Sequence, residues 1–238
     1  MTARFTRLSV MVSVLGLLAT PALAQMLGNP VYFSPKQGVG LTIAGDFGRG
    51  LNDASGKTNY FGGRATLGLP MVAITAGGGS AKPSGGTSLT SFGGDVAVTV
   101  LKGPMVPVTI SLQGGAAYSS VTVLGTKIKT LHAPLGAAFA FNVKSPGASV
   151  EPWVAPRVDI TRTTLSGTGT SGSSTDTRVG ASAGLNVGLP SGLGFHLGLD
   201  YIYVKGAGAI SSADVSPFVV GVGAHYTIKI PSLGPVGP

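Results

Sequence analysis

Residues 150–161 read VEPWVAPRVDIT, and this stretch alternates between two kinds of side chain. One parity carries apolar side chains and prolines: Val150, Pro152, Val154, Pro156, Val158 and Ile160. The other parity carries mainly polar and charged ones: Glu151, Trp153, Ala155, Arg157, Asp159 and Thr161. Because successive side chains of a β-strand point to opposite faces, the stretch predicts a strand with one apolar face and one charged face.

The same alternation recurs along most of the chain. It predicts ten strands, at 38–47, 60–69, 71–79, 91–101, 107–119, 130–143, 150–161, 176–189, 192–204 and 216–228. The connections alternate between long polar loops, at 48–59, 78–90, 120–129, 163–175 and 205–215, and short turns around 70, 102–105, 144–148 and 190–191. Outer-membrane barrels have short turns at the periplasmic end and long loops at the outer end, so the pattern is typical of a barrel meander.

Charged residues identify the polar face as a lumen. The mid-strand acids Asp46, Asp95, Glu151, Asp159 and Asp200 all have the parity of the small or polar face. An Arg or Lys that faces lipid at mid-depth destabilises a barrel by about 2–4 kcal/mol, so these charges belong on the lumen side. In a soluble β-sandwich, by contrast, the apolar faces would point inward. The sequence therefore predicts an all-β protein, a transmembrane up-and-down antiparallel β-barrel of ten strands.

The N-terminus predicts export. Arg4 and Arg7 precede an apolar run at 8–18 and a small-x-small site ending at Ala24, which is the pattern of a signal peptide at 1–24. We assign 25–36 to a periplasmic lead, 37–228 to the barrel and 229–238 to a short Pro-rich periplasmic tail. Without Arg4 and Arg7 the chain has 14 basic and 8 acidic residues, a net charge of +6. In an exported chain this surplus favours an anionic membrane surface over nucleic acid.

The last predicted strand resembles the assembly signal of Gram-negative outer-membrane β-barrel proteins. Gly223, Tyr226 and Ile228 match its glycine and its two apolar positions. The resemblance implies an outer-membrane location and insertion by the barrel-assembly machinery. Basic residues on the long-loop side, Lys127 and Lys129 among them, predict contact with lipopolysaccharide, ordinary loop solubility being the alternative. We expect a monomer.

The sequence offers no catalytic constellation. His196 and Asp200 share a face, but four residues at ~3.3 Å each separate them by roughly 13 Å. A hydrolase needs a nucleophile or activated water with a base in reach, and the spacing of the three histidines predicts no metal ligand set. We expect no cofactor, and an embedded hydrolase is the least supported function.

Inward charges predict a lumen cluster. Arg157, Asp159 and Arg178 flank one long loop, and Asp46 and Arg64 flank another. These charges form either a salt-bridge network that holds the barrel together or a constriction that selects solutes. Inward glycines such as those at 184, 198 and 221 leave room for water. The sequence thus favours a narrow porin-like channel, with a non-conducting structural or adhesive surface barrel as the alternative.

Prolines predict one irregularity. Pro134, Pro152 and Pro156 each lack the N–H that a sheet ladder uses. We therefore expect a bulge or a locally opened ladder between the sixth and seventh strands.

Overall fold

The computed structural model describes residues 29–35, 39–84, 86–102, 107–123, 125–167, 170–204 and 216–230. The predicted signal peptide and nearly all of the predicted tail lie outside these residues. The strands are β1 Gly40–Gly50, β2 Asn59–Gly68, β3 Val72–Lys82, β4 Leu89–Lys102, β5 Val108–Val123, β6 Thr126–Phe141, β7 Val143–Ser145, β8 Ala148–Gly167, β9 Thr170–Gly188, β10 Leu193–Tyr203 and β11 Phe218–Ile228. Within these described residues, short 3-10 helices span Pro30–Phe33 and Asp53–Ser55.

The strands close into a ring of antiparallel neighbours. Each strand except β6 pairs with the next, β6 pairs with β8, and β1 pairs with β11. The three-residue β7 continues β6 beyond Asn142 and pairs with the start of β8, so that β6 and β7 act as one barrel strand. The structure confirms the predicted ten-stranded up-and-down barrel.

The two faces of the wall differ in the predicted way. Every barrel strand exposes apolar side chains on the outside, including Ile43, Leu67, Ile74, Val96, Leu112, Leu135, Val158, Val179, Leu197 and Val222. Buried charged and histidine side chains lie on the opposite parity, as Asp46, Arg64, Asp95, His132, Glu151, Arg157, Asp159, His196 and Asp200. An apolar exterior around a polar interior is the arrangement that hydrocarbon solvent stabilises. No helix in the described part of the chain is long and apolar enough to cross a membrane.

Strand lengths divide the barrel into a low side and a tall side. β1, β2, β3, β10 and β11 have 10 or 11 residues, whereas β8 and β9 have 20 and 19. The predicted loop 163–175 is therefore mostly paired strand, with pairs continuing to Gly167 and Thr170. Its Ser- and Thr-rich sequence has no apolar face to signal a strand, but the backbone ladder can continue into water without one.

The irregularity predicted from prolines is present. Between β6 and β8 the ladder runs to the pair Gly136–Arg157 and resumes at Phe139–Val154, leaving out the positions opposite Pro156 and Ala155. The ladder is thus locally opened where Pro156 lies. A further irregularity between Thr99 and Leu101 in β4 was not predicted.

Residues 29–35 form what we call the plug, inside the barrel. Val31 and Tyr32 have no exposed surface, and Phe33 is nearly buried. The side chain of Asn29 accepts a hydrogen bond from the Val31 N–H, which caps the short helix. The sequence predicts a periplasmic lead at 25–36, and the described part of that segment packs inside the barrel. An apolar Val-Tyr-Phe triplet has no periodicity that reveals what it packs against.

Candidate functional site: the barrel lumen

The plug reaches across the lumen. On one side Tyr32 packs against Ala117 of β5. On the other side the backbone between Pro30 and Val31 lies about 3.3 Å from the position that a side chain on Gly198 of β10 would take. In a ring of ten strands, β5 lies directly opposite β11, and β10 is the neighbour of β11. The plug therefore spans the barrel between opposite walls.

A glycine row forms the seat of the plug. Gly48, Gly221, Gly198 and Gly184 are register neighbours across β1, β11, β10 and β9, and Trp153 continues the row on β8. A side chain at Gly221 would collide with the Asn29 amide and the Pro30 ring, and one at Gly184 would collide with Trp153. We predicted that inward glycines leave a water passage. In this row they instead make room for the plug and for an indole ring.

An arginine-centred network lies on the long-loop side of the plug. The Arg157 guanidinium donates two hydrogen bonds to Asp200, at 2.6 and 3.0 Å, and one to Asp159 at 3.0 Å. It also donates to Ser182, and its Cζ lies 4.1 Å from the centroid of the Phe33 ring. Because both carboxylates and the guanidinium are buried, their mutual pairing offsets a large desolvation cost. Arg157 is thereby held against the plug.

His132 extends this network. Its Nε2 lies 3.2 Å from Oδ1 of Asp159, and its Nδ1 lies 3.0 Å from the hydroxyl of Thr161. The sequence did not link His132 to the cluster, because His132 and Asp159 belong to different strands. The register between two strands cannot be read from residue spacing alone.

A second network lies on the short-turn side. Arg64 pairs with Asp46 at 3.2 Å and donates a hydrogen bond of 2.9 Å to the backbone carbonyl of Val31 in the plug. Oδ1 of Asp46 lies 2.7 Å from Nε2 of His196, whose Nδ1 lies 3.0 Å from Nδ1 of His225. The plug is therefore held between two charged networks, each of which touches it through an arginine.

The predicted lumen cluster is divided into two pairs, and Arg178 joins neither of them. Arg157 with Asp159 and Asp46 with Arg64 are pairs, as expected, but they belong to separate networks. Arg178 is a register neighbour of Asp159, yet it lies 3.9 Å from Asp176 with a quarter of its side chain exposed. A further buried partner, Asp200, was recognised as inward-facing but was not assigned to the cluster.

The other predicted residues lie on the surface or in the wall. Lys127 and Lys129 are exposed on the tall side, in β6 rather than in a loop. Tyr226 and Ile228 of the final strand face outward, and Gly223 faces inward against His196 and Asp46.

A cavity that we call the vestibule lies on the short-turn side of the plug. Its volume is about 280 Å³. Its walls include Ser34, Pro35, Thr42, Ala44, Arg64, Thr66, Ser149, Glu151, Asn186, Gly192, His196, His225, Thr227 and Lys229. Gly192 belongs to the short turn between β9 and β10, and Lys229 follows β11, so the vestibule reaches the short-turn mouth of the barrel.

His196, in the vestibule wall, contacts a buried aspartate behind that wall, and spacing along the chain did not predict this contact. Spacing along one strand places Asp200 on the face of His196, whereas the carboxylate partner of His196 is Asp46, 150 residues away. Such a contact can orient a general base, but hydrolysis also requires a nucleophile or an activated water. His225 contacts the other ring nitrogen of His196. No group of three or more His, Asp or Glu side chains in the described segments could hold a metal ion.

Comparisons with known proteins find solved structures that align with most of the chain at low identity. No protein-family model and no curated protein sequence matches the chain. The translocator domain of the autotransporter NalP from Neisseria meningitidis is 12% identical, with a TM-score of 0.45, over 94% of this chain and 98% of that one. The N-terminal β-barrel domain of Pseudomonas aeruginosa OprF is 14% identical, with a TM-score of 0.36, over 81% of this chain and 100% of that one.

Proteins of different activity occur among the similar structures. The Escherichia coli outer membrane protease OmpT is 10% identical, with a TM-score of 0.39, over 79% of this chain and 94% of that one. At these identities the likeness concerns the fold and carries no information about activity. With its closed ring of ten antiparallel strands, apolar outside and polar inside, the chain has the architecture of a Gram-negative outer-membrane β-barrel.

Proposed function

We propose that the protein is a closed surface barrel of the bacterial outer membrane, with a structural or adhesive role, rather than an open porin. The plug is the observation that carries this proposal. Tyr32 is fully buried against β5, while Asn29 and Pro30 lie in the glycine row of the opposite wall. A barrel of eight strands is just filled by its own side chains. In this ten-stranded barrel the plug occupies space that the glycines leave.

Pairing of the lumen charges supports the same function. Arg157 donates four hydrogen bonds to Asp200, Asp159 and Ser182, and Arg64 is shared between Asp46 and the plug carbonyl. Charges that are paired with one another are less available to a passing ion than an unpaired ring would be. A constriction role for these residues would require the plug to leave.

Planar-bilayer conductance tests the proposal. The refolded chain from Gln25 is compared with a shorter chain from Val39, which lacks the plug but keeps β1. We expect the longer chain to be silent and the shorter chain to conduct. Steady conductance by the longer chain would overturn the proposal in favour of the narrow porin, and ion selectivity in Arg157→Ala and Arg178→Ala would then show whether either residue lines the constriction. Silence of both chains would mean that something other than the plug closes the lumen.

Location and partners belong to the same proposal. The chain is exported with cleavage near Ala24, is inserted by the barrel-assembly machinery through Gly223, Tyr226 and Ile228, and contacts lipopolysaccharide through Lys127 and Lys129 as a monomer. Gradient fractionation of bacterial membranes tests the location. A Tyr226→Ala chain should accumulate less in the outer-membrane fraction than the unaltered chain, and equal accumulation would remove Tyr226 from the assembly signal.

A further inference from the structure

Two histidines contact one another in the wall of the vestibule. Nδ1 of His196 in β10 lies 3.0 Å from Nδ1 of His225 in β11, and the rings are stacked with 5.3 Å between their centroids. The side chain of His196 is buried, whereas His225 is partly exposed, and both line the cavity. Because the vestibule reaches the short-turn mouth, protons from the solution at that mouth can reach the pair.

The contact with Asp46 determines where the protons of the pair lie. An ionised carboxylate only accepts hydrogen bonds, so the 2.7 Å contact places a proton on Nε2 of His196. In the neutral pair Nδ1 of His196 is bare, and it accepts a hydrogen bond from Nδ1–H of His225. One added proton preserves this bond, because a charged ring can still donate to the bare Nδ1 of the other. A second added proton destroys it, because both Nδ1 atoms then carry a hydrogen.

The doubly protonated pair is also crowded by charge. Nη2 of Arg64 lies 3.3 Å from Nε2 of His196, and both of these side chains pair with Asp46. Two charged imidazole rings would therefore repel one another and the Arg64 guanidinium. Among the described residues, the charged groups around the pair lie on β1, β2, β8 and the end of β11: Asp46, Arg64, Glu151 and Lys229.

Arg64 connects the pair to the plug. Its Nη1 donates a hydrogen bond of 2.9 Å to the carbonyl of Val31 and lies 3.2 Å from Oδ2 of Asp46. Its Cζ lies 5.4 Å from the centroid of the Tyr32 ring. A guanidinium that is displaced by repulsion loses its contacts with both plug residues at once. The seating of the plug thus depends on the charge of the histidine pair.

We propose that His196 and His225 form an acid-sensitive catch for the plug. At neutral pH the pair carries at most one added proton, and Arg64 holds Val31. On acidification the pair binds a second proton, His225 turns into the vestibule, Arg64 leaves Val31, and the plug leaves its seat. This inference rests on the proposed function, in which the plug closes the lumen, and adds the condition under which the barrel opens.

Planar-bilayer recordings of the refolded chain from Gln25 test the catch at about pH 7.5 and about pH 4.5, on either side of the pH of ~6.5 at which free histidine titrates. We expect a closed barrel at the higher pH and an open time about tenfold longer or more at the lower pH. His225→Gln keeps a hydrogen-bond donor for His196 but binds no proton, so it should stay closed in acid. His132→Gln is the matched control, because it removes the remaining histidine and should still open in acid.

Trp153 provides a second measurement that does not depend on conductance. It is the only tryptophan of the chain. Trp153 and the Pro30 backbone both lie within 3.4 Å of the position that a Cβ on Gly198 would take. Quenching of its fluorescence by acrylamide should increase in acid for the unaltered barrel but not for His225→Gln. A heat-modifiable gel shift verifies that each chain is folded at both pH values.

The outcomes separate the catch from the proposed function. Acid opening that persists in His225→Gln, or its absence from the folded, unaltered chain by both measurements, overturns the catch and leaves the closed barrel standing. Acid-dependent opening of the chain from Val39, which lacks the plug, also overturns the catch, because the response then arises elsewhere. Steady conductance of the unaltered chain at the higher pH overturns the proposed function and the catch with it.

Discussion

Enlarging one glycine of the seat should dislodge the plug. A Cβ on Gly221 would lie 3.0 Å from two ring carbons of Pro30 and would also collide with the amide of Asn29. Overpacking of this kind costs about 1–3 kcal/mol. The collision exists only when the plug is seated, so Gly221→Ala should shift the ratio of unplugged to plugged barrels by about 5- to 150-fold.

Single-channel recording in planar bilayers measures this shift as an increase in open time. Gly45→Ala is the matched control. Gly45 lies on β1, in the pairing of β1 with β11, and a Cβ there would meet nothing within 4 Å. In an Asn29→Gly background part of the collision is absent, so the same substitution should have a smaller effect. An open time for Gly221→Ala equal to that of Gly45→Ala would refute the reasoning, as would an increase that is independent of Asn29.

Three further outcomes are expected. Arg157→Ala leaves Asp200 and Asp159 buried without their cation, and it should lower the free energy of unfolding in urea by about 3–5 kcal/mol. Arg178→Ala should lower it by at most about 1 kcal/mol. Equal losses would contradict the separate placement of the two arginines. Leu197→Arg should cost about 2–4 kcal/mol of folding free energy in lipid vesicles and Leu193→Arg, on the same face nearer the rim, about 0–1, so a uniform cost would argue against a lipid-facing wall. Removing Lys127 and Lys129 together, at about 1 kcal/mol each, should weaken lipopolysaccharide binding in a pull-down titration by about 30-fold, with Lys229→Ala as the control at the opposite end, and unchanged binding would dismiss the pair.

The wall of the barrel could be predicted from the sequence because apolar and polar side chains alternate along every strand. This alternation shows which face of the strand meets lipid. Leu197 and Val222 are register neighbours, and slipping either strand by one residue would turn apolar side chains into the lumen and charges such as Asp200 into hydrocarbon. The two-residue repeat of apolar and polar side chains therefore determines the strands and constrains their register. The tall hairpin of β8 and β9 was missed where it leaves the lipid, since side chains there face water on both sides.

The contents of the lumen could not be predicted in the same way. Parity shows that Asp46, His196 and His225 face inward, but contacts among β1, β10 and β11 depend on how far each strand is staggered against its neighbours. From the sequence, the inward glycines predicted empty space, whereas the glycine row forms a seat. Only the plug, a segment without periodicity, decides between them. A Val-Tyr-Phe triplet just before the first strand of a glycine-rich barrel is the signal that could have suggested it.

The position of the plug also affects how the ring is completed. Asn29 lies beside Gly48 of the first strand and Gly221 of the last, and Arg64 of β2 holds Val31 from the other side of that junction. The row from Gly184 to Gly221 lies within β9, β10 and β11, but the seat is complete only when Gly48 of β1 has met Gly221 of β11, so the full set of plug contacts requires a closed ring. Once docked, the segment bridges the junction where the two ends of the sheet join, and separating those ends would first require its removal. The N-terminal residues thereby act as a latch that keeps the completed ring from reopening between its first and last strands.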